Sequence, residues 1–308
     1  MKRKWIRRVS WILLTPVLLF VILMILLYIP PVQNLLRREV TAYASKATGM
    51  QIQVERIDLR FPLNLLVRGV EVIQQPDTLL SLESLNVRVQ AWPLVKGKVE
   101  VDEVTLSQVA FNSANLIEGM KIKGVLGRFF LQSHGVDLSN ELAVINQTEL
   151  SDTHVQMLMN DTTTTPKDTT ASAPVNWKVD LHKLKLKNVS FSMQLPADSM
   201  RMAAHIGEAF INDAQADLKN QFYELKQFLL SGSSANYDTG AAKPGEGFDA
   251  SHIAVRDIRI GLDSLLYKGR DMNAVIRELS MNERSGLSIT SLTGRAFSND
   301  SIIRIPGI

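Results

Sequence analysis

The 308 residues suffice for one large or two ordinary domains, and the composition, 45% hydrophobic and 21% charged, is ordinary for a globular protein. The net charge is +3, yet Lys2, Arg3, Lys4, Arg7 and Arg8 place five positive charges in the first eight residues and leave the other 300 at −2. The basic excess is therefore a topology signal, and no basic stripe with interleaved aromatics marks a nucleic-acid binder. With no cysteine, disulfides, thiolate metal sites and cysteine nucleophiles are excluded.

Residues 1–8 form a basic tail. Val9 to Ile29 then runs for 21 residues without a charge. As a helix it would be about 31 Å long at ~1.5 Å per residue, which matches the hydrocarbon core of a bilayer. Trp5 and Trp11 lie near one end and Tyr28 at the other, where aromatic rings favour the membrane interface. The competing interpretation is a cleaved signal peptide with Ala42-Tyr43-Ala44 as its cleavage site. That tripeptide lies more than ten residues past the apolar run, beyond Arg37, Arg38 and Glu39, and the run is longer than a signal core. A retained transmembrane helix at 9–29 is expected, with a cytoplasmic N-terminus and everything after Pro31 exported.

Residues 30–49 read as a connecting helix: Val32, Leu35, Leu36, Val40, Tyr43 and Ala47 follow helical spacing, and Gly49 is the stop. Such a helix can lie on the membrane surface or pack against the first strands.

From residue 50 onward one pattern recurs, with apolar residues at relative positions 1, 3, 6 and 8. It appears as Ile52, Val54, Ile57, Leu59; as Leu80, Leu82, Leu85, Val87; and as Val99, Val101, Val104, Leu106. Later copies are Val179, Leu181, Leu184, Leu186; Tyr223, Leu225, Phe228, Leu230; Ile253, Val255, Ile258, Ile260; and Ala274, Ile276, Leu279, Met281. Alternation with period two requires a sheet with one apolar face, and the extra residue in the middle reverses the phase. To keep one face apolar the strand must bulge or bend there. The interrupting pairs are polar: Glu55-Arg56, Glu83-Ser84, Asp102-Glu103, His182-Lys183 and Arg256-Asp257. A helix partly accommodates the same spacing, but β-branched content and flanking Gly or Pro favour strands. Bent antiparallel strands are expected, either as a two-layer sandwich or as one long curled sheet whose apolar side is open. Periodicity does not separate these two.

Two breaks divide this body. Residues 160–176 form a Thr-rich linker with nothing to bury, and two Asp-Thr-Thr triplets there match acceptors for O-linked sugar. Residues 231–247, rich in Gly, Ser and Ala, read as a flexible loop. The expected organisation is thus three β segments, 50–159, 177–230 and 248–308.

A search for chemistry finds little. The five histidines stand singly, without metal-ligand spacing, and no nucleophile elbow or phosphate-binding loop occurs. Gly245-Glu246-Gly247-Phe248-Asp249-Ala250 fits the dinucleotide fingerprint on paper, but it follows Lys243-Pro244 and precedes a strand, where that site needs a strand before and a helix after. Neither catalysis, nor a cofactor, nor a metal is expected.

A resemblance begins at Thr48-Gly49-Met50-Gln51-Ile52-Gln53-Val54-Glu55-Arg56-Ile57. Anchor, short helix and strand series together resemble the AsmA-like superfamily, and within it the TamB-like inner-membrane subunits of translocation and assembly modules. Its most specific pieces are the Gly-x-x-[Ile/Val]-x-[Val/Ile] start, Trp92-Pro93-Leu94-Val95-Lys96-Gly97-Lys98, and Ser285-Gly286-Leu287-Ser288-Ile289. Proteins of that type are several times longer and end in a β-domain that meets an outer-membrane β-barrel partner, so this chain is expected to be an N-terminal portion or a truncated gene product. The resemblance implies a mainly β protein: a long curled antiparallel sheet with an apolar concave face, carrying phospholipid toward the outer membrane and supporting outer-membrane protein assembly. Candidate groove residues are Ile52, Val54, Leu85, Val87, Val99, Val101, Val104 and Leu106. The alternative is a membrane-anchored interaction scaffold without a lipid conduit.

Overall fold

The structure, a computed structural model, describes residues 29–60, 63–90, 92–93, 100–137, 140–159, 176–240, 243–299 and 302–304. The basic tail, the apolar run up to Tyr28 and the expected linker up to residue 175 lie outside them. Among the described residues no helix is long and apolar enough to cross a membrane.

Helix α1 spans Pro30–Thr48. Prolines at its first positions cost no hydrogen bond, because first-turn amides have no helical partner. Gly49 closes it at φ 70°, a left-handed cap whose N–H reaches the Ser45 carbonyl. Of the two placements open to this helix, it takes the packed one. Gln33 Nε2 donates to the Leu59 carbonyl (3.2 Å), and Arg37 Nη1 donates to those of Val54 (3.1 Å) and Glu55 (3.0 Å). The Ile52 amide donates to Ser45 Oγ (3.1 Å). The helix thereby covers the edge of the first strand, where bare peptide groups would otherwise invite foreign strands.

Among the described residues all strands belong to one 13-stranded sheet, ordered as in sequence. They are β1 (Gln51–Arg60), β2 (Asn64–Gln74), β3 (Asp77–Val89), β4 (Val101–Asn112), β5 (Met120–Asp137), β6 (Leu142–Met159), β7 (Lys178–Leu195), β8 (Met200–Asp217), β9 (Phe222–Asp238), β10 (His252–Lys268), β11 (Asp271–Glu283), β12 (Ser288–Ser298) and β13 (Ile303–Arg304). The sheet is mainly what its period-two patterning demands, and it does not close on itself.

Two sequence expectations need correction. The sheet is not wholly antiparallel: β6 and β7 pair in parallel, from Leu142↔Lys178 to Leu158↔Gln194. The chain leaves β6 at one rim of the sheet and enters β7 at the other, which is the geometry a parallel pair requires. The β segments on either side of both breaks join in one continuous ladder. Finally, the Gly- and Ser-rich stretch from Ser231 is not loop throughout. Residues as far as Asp238 belong to β9 and pair with both β8 and β10. Small residues stand there because a neighbouring backbone comes close, as described below.

The sheet has one layer among the described residues. Its buried hydrophobic residues are few, Ile57, Leu79, Leu82, Ala143, Ala209 and Ala274, and no large side chain is fully buried. A sandwich would seal its inner face under a second sheet about 10 Å away. Here the apolar side chains are mostly half-buried, covered by neighbours along and across strands.

Candidate functional site

The strand register assembles the recurring pattern into continuous apolar rows. One row crosses twelve strands without a polar member: Ile57, Val67, Leu85, Leu106, Phe129, Leu150, Leu186, Ala209, Leu230, Ile260, Leu279 and Leu292. At about 4.8 Å between strands it is roughly 53 Å long. Beside it runs a second row, Leu59, Leu65, Val87, Val104, Leu131, Thr148, Leu184, Ile211, Phe228, Leu262, Ile276 and Gly294. Its one hydroxyl is satisfied locally, since Thr148 Oγ1 donates to the Phe130 carbonyl (3.1 Å).

A crease keeps these rows on one face. Between Val54↔Val70 and Arg56↔Arg68 the register of β1 and β2 stays in step although both strands reverse phase, with Gly69 at φ 58° opposite Glu55. The same line continues through Gln108 (φ 49°), Asp152 (φ 51°), Asn188 (φ 52°), Gly232 (φ 60°) and Asp257 (φ 57°). Left-handed residues break the alternation, and Gly, Asn and Asp tolerate that conformation best. The polar members are tied together: Asn188 Nδ2 donates to Asp152 Oδ1 (2.7 Å), and Asn282 Nδ2 to Asp257 Oδ2 (3.2 Å). The expected bends at Glu55-Arg56, Glu83-Ser84 and Arg256-Asp257 lie on this line. A simple bulge would displace the register by one residue; such shifts occur here only toward the end of the sheet, on β10 between Val255 and Ile258 and between Arg256 and Arg259, and on β11 between Leu279 and Met281.

A second break parallels the first, with Asp213 at φ 50° opposite His182 and Lys226. It sits on the polar face. His182 Nδ1 lies 3.1 Å from Asp213 Oδ1, and Lys226 Nζ lies 3.8 Å from Asp213 Oδ2. The hydrogen bond to His182 and the Lys226 charge hold the Asp213 carboxyl below its ordinary range. A shallow cleft of about 190 Å³ opens there, bordered by Asp180, Gln215 and Glu224. His182, Asp213 and Lys226 are all solvent-exposed, so these contacts add little stability. Elsewhere on this face stand Arg88–Glu103 (2.5 Å) and Arg277–Asp263 (3.4 Å). The sheet is thus amphipathic, charged on one side and apolar on the other.

Of the candidate groove residues, Leu85 and Leu106 are members of the unbroken row, and Val87 and Val104 pair in the next. Ile52 and Val54 lie across the crease, opposite Val72 and Val70. Val101 pairs with Val89 beyond a one-residue slip. These seven are half-buried, and Val99 lies outside the described residues, as do Lys2, Arg3, Lys4, Arg7 and Arg8. Phe129 on β5 and Leu150 on β6 were not anticipated. Their signal is present, but Gly124 replaces the first apolar residue on β5, and Thr148 and Thr153 replace two on β6. Among the described residues no group of three or more His, Cys, Asp or Glu is placed to hold a metal ion.

The fold and its face define a class: an unclosed, single-layered β-sheet with one apolar side. No protein-family model matches the chain, and no curated protein sequence matches it.

Proposed function

We propose that this chain is a single-pass inner-membrane protein of the AsmA-like, TamB-like type, whose periplasmic sheet carries phospholipid toward the outer membrane. In this reading the sheet curls with its apolar side concave, acyl chains lie on that side, and headgroups stay wet at the open rim. The chain then acts with an outer-membrane β-barrel partner and supports outer-membrane protein assembly. The observation that carries the reading is the twelve-strand apolar row with no second layer over it among the described residues. Removing acyl chains from water yields ~0.8 kcal/mol per CH₂, so an apolar strip holds lipid without a closed pocket. Because the row has no polar interruption, a lipid meets no step in affinity along it, which is what sliding requires.

The test is lipid mass spectrometry on the full chain purified in detergent, together with Val87→Arg and Leu150→Arg. Phospholipid recovered with the wild-type chain and lost from both variants, each with unchanged β-sheet circular dichroism, is the expected result. A lipid-free wild-type protein, or variants that unfold as a packed core would, overturns the proposal and favours the interaction scaffold.

A further inference from the structure

The apolar face does not have one chemistry throughout. Neither of its two long rows contains a methionine, yet six of the chain's eleven stand together beyond the crease: Met120, Met157, Met159, Met193, Met200 and Met202. They occupy the rim where β5 and β8 begin and β6 and β7 end. The register makes them neighbours. Met120 pairs with Met159, while Met157, Met193 and Met202 form an unbroken line over β6, β7 and β8. Ile122 and Tyr237 continue that line at its two ends. Period-two alternation leads from Val189 and Phe191 to Met193, and from Ile206 and Ala204 to Met202, which keeps the cluster on the apolar face. The charged residues of the same strand ends, Lys121, Lys123 and Arg201, fall at alternate positions and so belong to the opposite face. Met202 is 39% exposed and the other five are half-buried, so no core seals these side chains.

Apolarity alone does not call for methionine here. Strands favour β-branched and aromatic side chains, and an ordered methionine loses more rotamer freedom than a leucine. What methionine adds is sulfur. A thioether is neutral, polarizable and soft, so it suits Cu(I) and offers little to cations that seek oxygen. Adjacent strands lie about 4.8 Å apart and each methionine has three rotatable bonds, so the sulfurs of Met157 and Met202 can reach one ion held over Met193. We propose that Met157, Met193 and Met202 form a three-thioether site for Cu(I), with Met159 and Met200 one step nearer the rim, where the ion enters. Because the ligands carry no charge, the monovalent ion is favoured over Cu(II), and the open face leaves its outer side to solvent. With no cysteine in the chain, no thiolate of its own competes for the metal. The inference is independent of the lipid-carrying reading.

The test titrates the full chain, in detergent and without oxygen, into the coloured complex of Cu(I) with bicinchoninate and follows the loss of colour. The wild-type chain is expected to withdraw one equivalent. A triple variant, Met157→Leu with Met193→Leu and Met202→Leu, keeps apolarity and nearly the same volume. It is expected to bind at least about tenfold more weakly with unchanged circular dichroism, while Met272→Leu with Met281→Leu on β11 binds as the wild type does. X-ray absorption of the loaded wild type should show a copper shell of sulfur alone. No uptake by the wild type, a shell of nitrogen and oxygen, or a loss shared by the β11 variant overturns the proposal. So does equal uptake by the triple variant or, should that variant misfold, by Met193→Leu alone.

Discussion

Gly207 on β8 is the position where the crease is least forgiving. A Cβ built there would stand 2.5 Å from the Gly232 carbonyl oxygen, 2.9 Å from that of Ser231 and 3.0 Å from the Gly232 carbonyl carbon. All three are backbone atoms of the paired strand β9, so no side chain can turn aside, and the two strands must move apart. Gly207→Ala is therefore expected to cost toward the upper end of the 1–3 kcal/mol typical of overpacking, roughly 2–3 kcal/mol. Gly232 offers the matching control. Its φ is 60°, but a Cβ there meets only the Gly207 Cα at 3.9 Å, so Gly232→Ala suffers from handedness and not from lack of space. That cost is about 1 kcal/mol, and Gly232→Asn should recover part of it, as Asn188 does naturally on β7. Urea unfolding of the full chain in detergent, followed by far-ultraviolet circular dichroism, gives the ranking. An unchanged midpoint for Gly207→Ala, or a larger loss for Gly232→Ala, refutes the close approach of β8 and β9 as the limiting contact.

Two further predictions concern the edge and the charges. Arg37→Met removes the donor shared by the Val54 and Glu55 carbonyls and should cost about 1.5–3 kcal/mol locally, seen as faster amide exchange in β1 with β5–β9 unchanged. Asp213, Asp217, Asp249 and Glu283 all have carboxyls held below their ordinary range, by His182, by Asn220, by the Ser251 amide and by Ser285 respectively, in each case as the largest cause. A carboxylate depressed in the folded state stabilises it above the unfolded-state value. That support disappears as pH falls through and below the ordinary carboxylate range. The urea midpoint should accordingly be flat near neutrality and decline in acid, and Asp249→Asn should make the decline shallower; a midpoint that rises on acidification contradicts the sign.

Much of this architecture is written in the sequence because the apolar face is a one-body property of each strand. Ile52, Val54, Ile57 and Leu59 announce both their shared face and the bend between them, and Glu55-Arg56 marks where the bend falls. What the pattern cannot express is which strand lies beside which. The parallel joint between β6 and β7 depends on where the chain re-enters the sheet, and no local residue encodes that. The end of β9 was concealed for another reason: Ser231, Gly232 and Ser233 resemble a loop in composition, yet they are small because Gly207 faces them. On β6, Thr148 and Thr153 concealed an apolar row by using their hydroxyls on nearby carbonyls, those of Phe130 and Ser151. Val101 and Val104 could be proposed as neighbours on one face, but only the slip opposite Val89 explains why both belong there.

The parallel joint also bears on the order in which the molecule assembles. Most neighbouring strands are hairpin partners that find each other through short turns, so β1–β6 and β7–β12 can each zip up from local encounters. Leu142 and Lys178 are 36 positions apart and keep that offset along the whole pairing, so joining the two meanders brings no such gradual reward. Nascent chains would therefore pass through a species with two finished half-sheets and two bare inner borders, and a chaperone would find its substrate there.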